Sequence, residues 1–367
     1  MLIDHVVHVQ DRLEDRQGQK GQPDLGVGEP VHGQESTRSR KLFPMVDVLV
    51  VGAGPVGLAA ALWAKRLGLS HLVLEKGTVA HTIYRFPRDM VFFSEAKNIE
   101  IGGHPLVAHG PKPTRKEALL YYQKVAEREG LQVKTYTEAL AVEGREGAFR
   151  VRARDLLKEE EEVHAARYVV VATGYFDRPN RLGVPGEELP HVRHRYEEAA
   201  LFFGKKVAVV GGSNSAVEAA LDLYRGGARV TLVHRGPWVR PGVKYWLLPD
   251  FQNRVKEGSI RAVMEARVEA ITREGLWLTR PEGRVFLEAD FVLVLVGYRA
   301  EDRLLREARV AYRGEKPLLS PEGETSLPGL FAIGSCAYGP DTRSVFIENG
   351  REEAERALKA IAQRLAP

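Results

Sequence analysis

Two glycine-rich turns, each between an apolar run and a segment of helical spacing, are the parts of this sequence best suited to chemistry. Residues 52–57 read Gly-Ala-Gly-Pro-Val-Gly and fit the pattern G-x-G-x-x-G. In such a turn the first glycine allows the bend, the second lets a diphosphate approach the backbone, and the third permits close helix packing. Glu75 follows the turn by about 20 residues, where a carboxylate can accept the ribose hydroxyls of an adenosine. The pattern predicts a bound dinucleotide.

The second turn, residues 211–216, reads Gly-Gly-Ser-Asn-Ser-Ala and departs from the pattern at its third and last positions. It still follows an apolar strand and opens a helix, so we expect a second dinucleotide here. The next strand ends in His234 and Arg235, with Arg240 nearby, instead of an acid. Because an acid repels a 2′-phosphate and a guanidinium binds it, this sequence favours NADPH over NADH.

Two dinucleotides in one chain, one held tightly and one exchangeable, indicate a flavin paired with a nicotinamide. FAD and NADPH placed face to face allow a hydride to pass between them, and this step needs no acid–base side chain. The chain has a single cysteine, Cys336, which excludes a two-cysteine redox centre. Neither H-E-x-x-H nor G-x-S-x-G occurs, and the eleven histidines show no metal-ligand spacing, so no metal is expected.

The segments around the turns predict the elements that position them, because a strand–helix–strand order occurs twice. The predicted segments are 46–51, 58–67 and 72–75 in the first copy and 206–210, 216–224 and 230–233 in the second. Further strands are predicted at 168–174, 291–297 and 330–334, with a last helix at 349–365. We therefore expect an α/β fold of two Rossmann-like dinucleotide-binding domains, the second inserted into the first. The FAD-binding domain is predicted to comprise residues 45–188 and 300–367, and the NADPH-binding domain residues 189–299.

The composition excludes several classes of protein. With 367 residues, 44% of them hydrophobic and 28% charged, the chain is long and apolar enough for two packed domains. Its net charge of +4, without a basic tract rich in aromatics, argues against nucleic acid as a partner. No apolar run approaches the ~18 residues of a membrane span. The lone cysteine and the lack of a signal peptide indicate a cytoplasmic protein.

Two segments are expected to lie outside the cores. Residues 1–44 are rich in Gln, Gly, Asp and Arg without a sustained apolar period, and we interpret them as a disordered extension that precedes a natural start at Met45. Residues 159–162 are four consecutive glutamates, which predict a solvated hairpin tip.

The chain resembles the two-domain flavin reductases of the thioredoxin reductase superfamily, and within it the bacillithiol disulfide reductase family. The resemblance covers nearly the whole chain after Met45. It rests on residues 82–84 with Pro87, 92–94, 121–122, 172–175, 211–212 with 214–216, Lys244 with Trp246 and Pro249, 297–298 and 346–350. It implies bound FAD, NADPH as the reductant and a homo-oligomer.

The same resemblance implies a cysteine in the first glycine turn, at the position that Val56 occupies here. A valine cannot attack a disulfide, so the delivery of electrons to sulfur is in question. Superfamily members carry Gly-Asp where this chain has Gly334-Ser335, so a hydroxyl or backbone N–H replaces the acid that contacts the ribityl chain. Cys336 is a candidate for a displaced catalytic thiol, although a lone cysteine is more often buried and inert.

The cofactor-binding predictions follow from the two turns and from the resemblance. For FAD they are Gly52, Gly54, Pro55, Val56, Gly57, Glu75, Lys76, Thr173, Gly174, Gly334, Ser335 and Glu348. For NADPH they are Gly211, Gly212, Ser213, Asn214, Ser215, Ala216, His234, Arg235 and Arg240.

The leading interpretation is an FAD-dependent oxidoreductase that moves a hydride from NADPH to flavin and on to an acceptor. The acceptor is a small disulfide, a quinone, a small redox protein or oxygen. The alternatives are a flavin-dependent monooxygenase and a dinucleotide-binding flavoprotein of low turnover. No nucleic acid or membrane partner is expected.

Overall fold

The computed structural model describes residues 41–341 and 344–366 of the chain. Residues 1–40 of the predicted disordered extension lie outside the described residues. The first strand begins at Lys41, so the prediction that it starts after Met45 is wrong. The reason is long-range pairing, because residues 41–43 lie in register with residues 162–164 of a neighbouring strand.

The strands are numbered in chain order. They are β1 (Lys41–Val51), β2 (His71–Leu74), β3 (Val133–Lys134), β4 (Thr137–Glu143), β5 (Phe149–Asp155), β6 (Glu160–Val171), β7 (Val192–Arg193), β8 (Lys206–Val210), β9 (Arg229–Val233), β10 (Ile260–Val263), β11 (Arg267–Thr272), β12 (Gly275–Arg280), β13 (Gly283–Glu288), β14 (Phe291–Val294), β15 (Tyr312–Arg313), β16 (Lys316–Pro317) and β17 (Leu330–Ala332).

The α-helices are numbered in the same way. They are α1 (Pro55–Arg66), α2 (His81–Tyr84), α3 (Arg115–Arg128), α4 (Asn214–Arg225), α5 (Leu248–Lys256), α6 (Arg303–Glu307) and α7 (Ile347–Leu365). Short 3₁₀ turns lie at Ala96–Ile99, Ala199–Phe202 and Gly334–Tyr338.

The first unit is built on a seven-stranded sheet of order β3-β2-β1-β6-β5-β4, with β17 also paired to β6. The strands β3, β2, β1, β6 and β17 run parallel, whereas β4, β5 and β6 form antiparallel pairs. Strand β1 alternates between two cores: Val48 and Val50 pack with α1 and α7 on one face, and Leu49 and Val51 pack on the other. Both faces are covered, which explains why this strand is apolar without interruption.

The second unit is built on a five-stranded parallel sheet of order β10-β9-β8-β14-β7. Its strand β8 also alternates between two cores, with Val207 and Val209 against α4 and Ala208 and Val210 against an antiparallel sheet of β11, β12 and β13. In the chain this unit lies between β6 and β17, which are neighbours in the first sheet. The second unit is therefore inserted into the first, as predicted.

Helix starts are encoded locally. Pro55 occupies the first turn of α1, where its missing N–H costs nothing. Thr114 and Glu117 form a reciprocal capping box at the start of α3. None of the helices within residues 41–341 and 344–366 is long and apolar enough to cross a membrane.

Candidate functional site

The first glycine turn lies between β1 and α1, and two of its three glycines, Gly52 and Gly57, cannot be replaced without collision. Gly52 has φ +106°, and a Cβ there would lie 2.5 Å from the Ala172 carbonyl oxygen. A Cβ on Gly57 would lie 1.9 Å from the Gly52 carbonyl oxygen, so this glycine serves helix packing. A Cβ on Gly54 would meet no atom within 4 Å. The backbone at Gly54 is therefore open to a ligand at the N-terminus of a helix, where anions bind favourably.

Glu75 follows the end of β2 and ties this turn to the next loop. Its Oε2 accepts a hydrogen bond from the Ala53 N–H, and its Oε1 accepts one from the Gly77 N–H, both at 2.8 Å. The side chain is buried, and this burial raises the pKa of its carboxyl. Each oxygen retains a further lone pair with which to accept a ribose hydroxyl.

The turn opens into a cavity of about 550 Å³, which we call the main cavity. Most of the residues predicted to bind FAD line it. They are Gly52, Gly54, Pro55, Val56, Glu75, Lys76, Thr173, Gly174, Gly334, Ser335 and Glu348. Gly57 does not line the cavity and packs behind the turn instead. The other walls include several apolar side chains, which are Ile83, Phe86, Met90, Phe92, Phe93, Tyr175, Phe176 and Phe346.

A group of cations surrounds one carboxylate in the wall of this cavity. Asp177 lies 2.9 Å from the Lys76 Nζ, 3.6 Å from an Arg85 nitrogen and 3.8 Å from an Arg195 nitrogen. These three cations bring positive charge to this side of the cavity, beside the carboxylates of Glu138 and Glu301 that also line it. Asp177 was not predicted from the sequence, because its partners are distant in the chain and no local motif marks it.

The loop after β17 is held from behind by the last helix. The Gly334 N–H donates a hydrogen bond of 2.7 Å to Oε2 of Glu353 in α7, and the Tyr338 hydroxyl donates to the other oxygen of that carboxylate. The Val56 side chain fills the space between the two elements, because a Cβ on Gly334 or Gly350 would lie 3.2 or 2.6 Å from a Val56 methyl group. Glu353 was also missed from the sequence. Ser335 faces the cavity beside this anchored loop.

Cys336 lies in the same loop, but its side chain points into the core. It is fully buried, and its thiol contacts the carbonyl oxygens of Val171 at 3.3 Å and Ile333 at 3.2 Å. Burial raises the pKa of this thiol to about 11. At neutral pH the sulfur is therefore protonated and shielded, whereas a nucleophilic cysteine must be an accessible thiolate.

The second glycine turn lies between β8 and α4. A Cβ on Gly211 would lie 2.4 Å from the Leu295 carbonyl oxygen and 2.8 Å from the Ala216 Cβ, which explains the small residues at both positions. Ser213 and Ser215 are exposed at the start of the helix. The Asn214 Oδ1 is used within the protein, because it accepts a hydrogen bond of 2.7 Å from the Lys244 N–H.

The predicted 2′-phosphate site follows β9. The Arg240 N–H donates to the Gly212 carbonyl oxygen at 2.8 Å, which brings Arg240 beside the glycine turn. A Cβ on Gly212 would lie 2.4 Å from the His234 ring. Burial lowers the pKa of His234, and the cations of Arg240 and Arg235 lower it further. Among the described residues no carboxylate pairs with either guanidinium, so both are free to bind an anion.

The two units meet at the main cavity. Lys244, from the second unit, lines this cavity and pairs with Glu218 of α4. Trp246 stacks on Phe93 of the first unit, with ring centroids 5.4 Å apart and an interplanar angle of 20°. The segment that contacts Asn214 in the second glycine turn thus also contacts the cavity behind the first turn. The second unit therefore contributes side chains to the wall and the edge of the main cavity.

The residues present fit both cofactors. Gly54 leaves room for a diphosphate at the start of α1, and Glu75 lies where an adenosine ribose is held. The exposed N-terminus of α4 and the unpaired Arg235 and Arg240 provide a second anion-binding region. No group of three His, Cys, Asp or Glu side chains that could hold a metal ion occurs in the described part of the chain.

Comparisons with known proteins place the chain among flavin- and nicotinamide-dependent reductases. A family model described as pyridine nucleotide-disulphide oxidoreductase matches residues 49–334. Bacilliredoxin reductase Bdr of Bacillus subtilis (strain 168) is 37% identical over 320 residues, which cover 86% of this chain and 97% of the relative. A ferredoxin–NADP reductase of Ignicoccus hospitalis is 28% identical and covers 81% of this chain and 92% of its own length. The solved structure of bacillithiol disulfide reductase Bdr from Bacillus cereus superimposes with a TM-score of 0.85 at 36% identity, covering 88% of this chain and 100% of that one.

Proposed function

Because the chain belongs to the pyridine nucleotide-disulphide oxidoreductase family, whose members use FAD and NADP(H), we propose that it passes electrons from NADPH to an acceptor without a cysteine of its own. Bound FAD supplies the capacity to take up a hydride and to release the two electrons together or singly. The protein's residues supply binding, orientation and the exclusion of water.

The position of Cys336 is the observation that carries this proposal. It is the chain's single cysteine, and its buried thiol has a pKa raised to about 11. Val56, in the first turn of α1, occupies the position at which the resemblance implies a cysteine, and a valine has no redox chemistry. A mixed disulfide between protein and substrate therefore has no accessible sulfur from which to form.

The residues of the first unit are proposed to hold FAD in the main cavity. Backbone N–H groups at Gly54 and the N-terminus of α1 donate hydrogen bonds to the diphosphate, and Lys76 adds positive charge nearby. Glu75 accepts hydrogen bonds from the ribose hydroxyls. The remainder of the cofactor is contacted by Thr173, Gly174, Ser335 and Glu348.

The residues of the second unit are proposed to hold NADPH. The N-terminus of α4, with Ser213 and Ser215 exposed, receives its diphosphate, and Arg235 with Arg240 binds the 2′-phosphate. Lys244 is then proposed to lie between the nicotinamide end of NADPH and the main cavity. Its ion pair with Glu218 holds the side chain in this position.

The acceptor is proposed to be a small molecule or a small redox protein that needs no thiol relay. Low-molecular-weight disulfides are then poor substrates, and quinones or one-electron carriers are good ones. The protein is further proposed to be cytoplasmic, since its single cysteine suits a reducing compartment. It is also proposed to be a homo-oligomer, as its resemblance to the two-domain flavin reductases implies.

The experiment compares the native protein with Cys336→Ser in NADPH oxidation assays. The acceptors are 1,4-benzoquinone, ferricyanide, bacillithiol disulfide and coenzyme A disulfide. We expect equal rates for both proteins with the quinone and ferricyanide, and little activity with either disulfide. Strong disulfide reduction by the native protein would contradict the proposal, whether it survives in Cys336→Ser or disappears there.

A further inference from the structure

An exposed aromatic surface lies at one opening of the main cavity. Phe93 and Phe346 line the cavity, yet their side chains are 58% and 55% exposed. Tyr245 is 74% exposed and packs edge-on against Trp246, with ring centroids 4.9 Å apart. Aromatic side chains that are exposed to solvent on one face and packed against the protein on the other are typical of protein interaction surfaces.

Two paired segments form the edge of this opening, and we call them the lip: residues 90–96 and 111–115. Backbone hydrogen bonds join them, from Phe92 N–H to the Pro113 oxygen at 2.9 Å and from Ala96 N–H to the Pro111 oxygen at 3.0 Å. A third runs from Arg115 N–H to the Met90 oxygen at 2.8 Å. These hydrogen bonds fix the backbone of the lip, and the backbone in turn fixes the positions from which its side chains project.

The lip and the helix start beside it carry cations without acidic partners. The Lys112 Nζ lies 3.8 Å from the Trp246 ring centroid, and the Arg115 guanidinium lies over the ring of Tyr84. Lys116 is exposed in the first turn of α3. Within the described residues none of these three cations has a carboxylate within 4.0 Å. The nearby Glu117 is engaged in capping α3.

The lip's one carboxylate, Glu95, pairs with Lys97, so Lys112, Arg115 and Lys116 leave this surface positively charged. A second copy of the chain, docked patch to patch by a two-fold axis, would bring two surfaces of the same positive charge together. An acidic partner would instead neutralise them. Since no accessible protein thiol exists, the partner must receive electrons across the contact, as an iron–sulfur centre does.

We propose that the lip and the aromatic surface form the docking site of a small acidic iron–sulfur protein. This rests on the proposed function. Each NADPH is oxidised to NADP⁺ with release of one proton, and its two electrons reduce two molecules of the one-electron acceptor. Phe93, Tyr245 and Phe346 provide the apolar contact, and Lys112, Arg115 and Lys116 provide the complementary charge.

The test uses the double variant Lys112→Glu/Lys116→Glu of the full-length holoenzyme. Its matched control is Lys205→Glu/Lys256→Glu, which reverses two exposed cations of the second unit that also have no acidic partner among the described residues. The probes are an acidic plant-type [2Fe–2S] ferredoxin, basic cytochrome c and uncharged 1,4-benzoquinone. A second variant, Lys112→Gln/Lys116→Gln, removes the two charges without reversing them, so the test remains valid if the Glu pair does not fold.

We expect the double reversal to lower kcat/KM for the ferredoxin by about tenfold at low ionic strength, because opposite charges accelerate encounter. The Gln pair should give a smaller loss, and high salt should reduce both losses. The Kd for ferredoxin, measured by calorimetry without turnover, should rise in parallel. The rate of benzoquinone reduction should stay at the native level because the quinone is uncharged. The rate of cytochrome c reduction should not fall, because this partner is basic.

Three outcomes would overturn the docking site. They are an equal loss in the control pair, an unchanged kcat/KM and Kd for ferredoxin in both lip variants, and a change of oligomeric state in sedimentation. The last would identify the lip as a contact between copies of the chain. The proposed function fails separately, through loss of benzoquinone reduction in Cys336→Ser.

Discussion

The carboxylate of Glu353 accepts a hydrogen bond from the Gly334 backbone N–H at 2.7 Å. This contact joins the last helix to the loop that lines the main cavity, and it holds the Gly334 backbone beside Val56. A buried carboxylate with a backbone donor is a positioning group, because it sets where the loop presents its remaining donors to a ligand.

Glu353→Ala is expected to loosen this loop. The buried Gly334 N–H would lose its acceptor, which costs about 1–3 kcal/mol of unfolding free energy. The Kd for FAD, measured by fluorescence titration of the apoprotein, should rise as well. Glu355→Ala is the control, because Glu355 is on the same helix and pairs only with Lys359 at the surface. Equal effects of the two substitutions would rule out the positioning role.

Replacing Arg235 and Arg240 by Ala should raise the KM for NADPH much more than the KM for NADH. Charge-assisted hydrogen bonds to a phosphate contribute about 1.5–3 kcal/mol, so a factor of about ten or more is expected. Arg225→Ala, at the far end of α4 and paired with Asp250, serves as the control. A parallel rise for both nucleotides would show that these arginines do not recognise the 2′-phosphate.

Val56→Cys should create disulfide reductase activity. A thiol at this position would lie in the first turn of α1, where the helix terminus lowers a cysteine pKa and favours the thiolate. The smaller side chain leaves room beside Gly334 and Gly350, so FAD binding should persist. The assay is NADPH oxidation with bacillithiol disulfide, and Val56→Ser is the redox-inactive control. Activity in the Ser variant equal to that in the Cys variant would contradict the thiol argument.

The burial of Cys336 predicts a dependence of stability on alkaline pH. The pKa of its thiol rises from 9.0 to about 11 on folding, so between these values the folded protein keeps a proton that the unfolded chain has released. The thiol's contribution to stability is therefore complete below about pH 9 and lost as the pH rises towards 11. In thermal unfolding, Tm should fall more steeply over this range in the native protein than in Cys336→Ser. Parallel curves of Tm against pH for the two proteins would show that folding does not raise the pKa of this thiol.

The local parts of the fold could be predicted from sequence because they depend on neighbouring residues. The strand–turn–helix around Gly52 and the one around Gly211 are examples, since apolar runs and glycines decide both. The later strands and the inserted order followed from the same patterns.

Parts that depend on distant contacts could not be predicted. The acid run 159–162 was expected to be solvated, but Glu162 is buried and pairs with Lys134, because β6 begins eight residues before the predicted strand. Asp177 and Glu353 were missed for the same reason, as their partners come from other elements. The contact between Ser94 and Glu348 in the main cavity joins residues that are 254 positions apart.

The most direct test of the account is an anaerobic stopped-flow experiment on FAD-loaded Cys336→Ser. NADPH is mixed with the protein, the loss of visible flavin absorbance is followed, and 1,4-benzoquinone is then added. The account predicts that absorbance disappears and returns at the rates of the native protein. Failure of the variant to be reduced by NADPH, or to be reoxidised by the quinone while the native protein is, would contradict it.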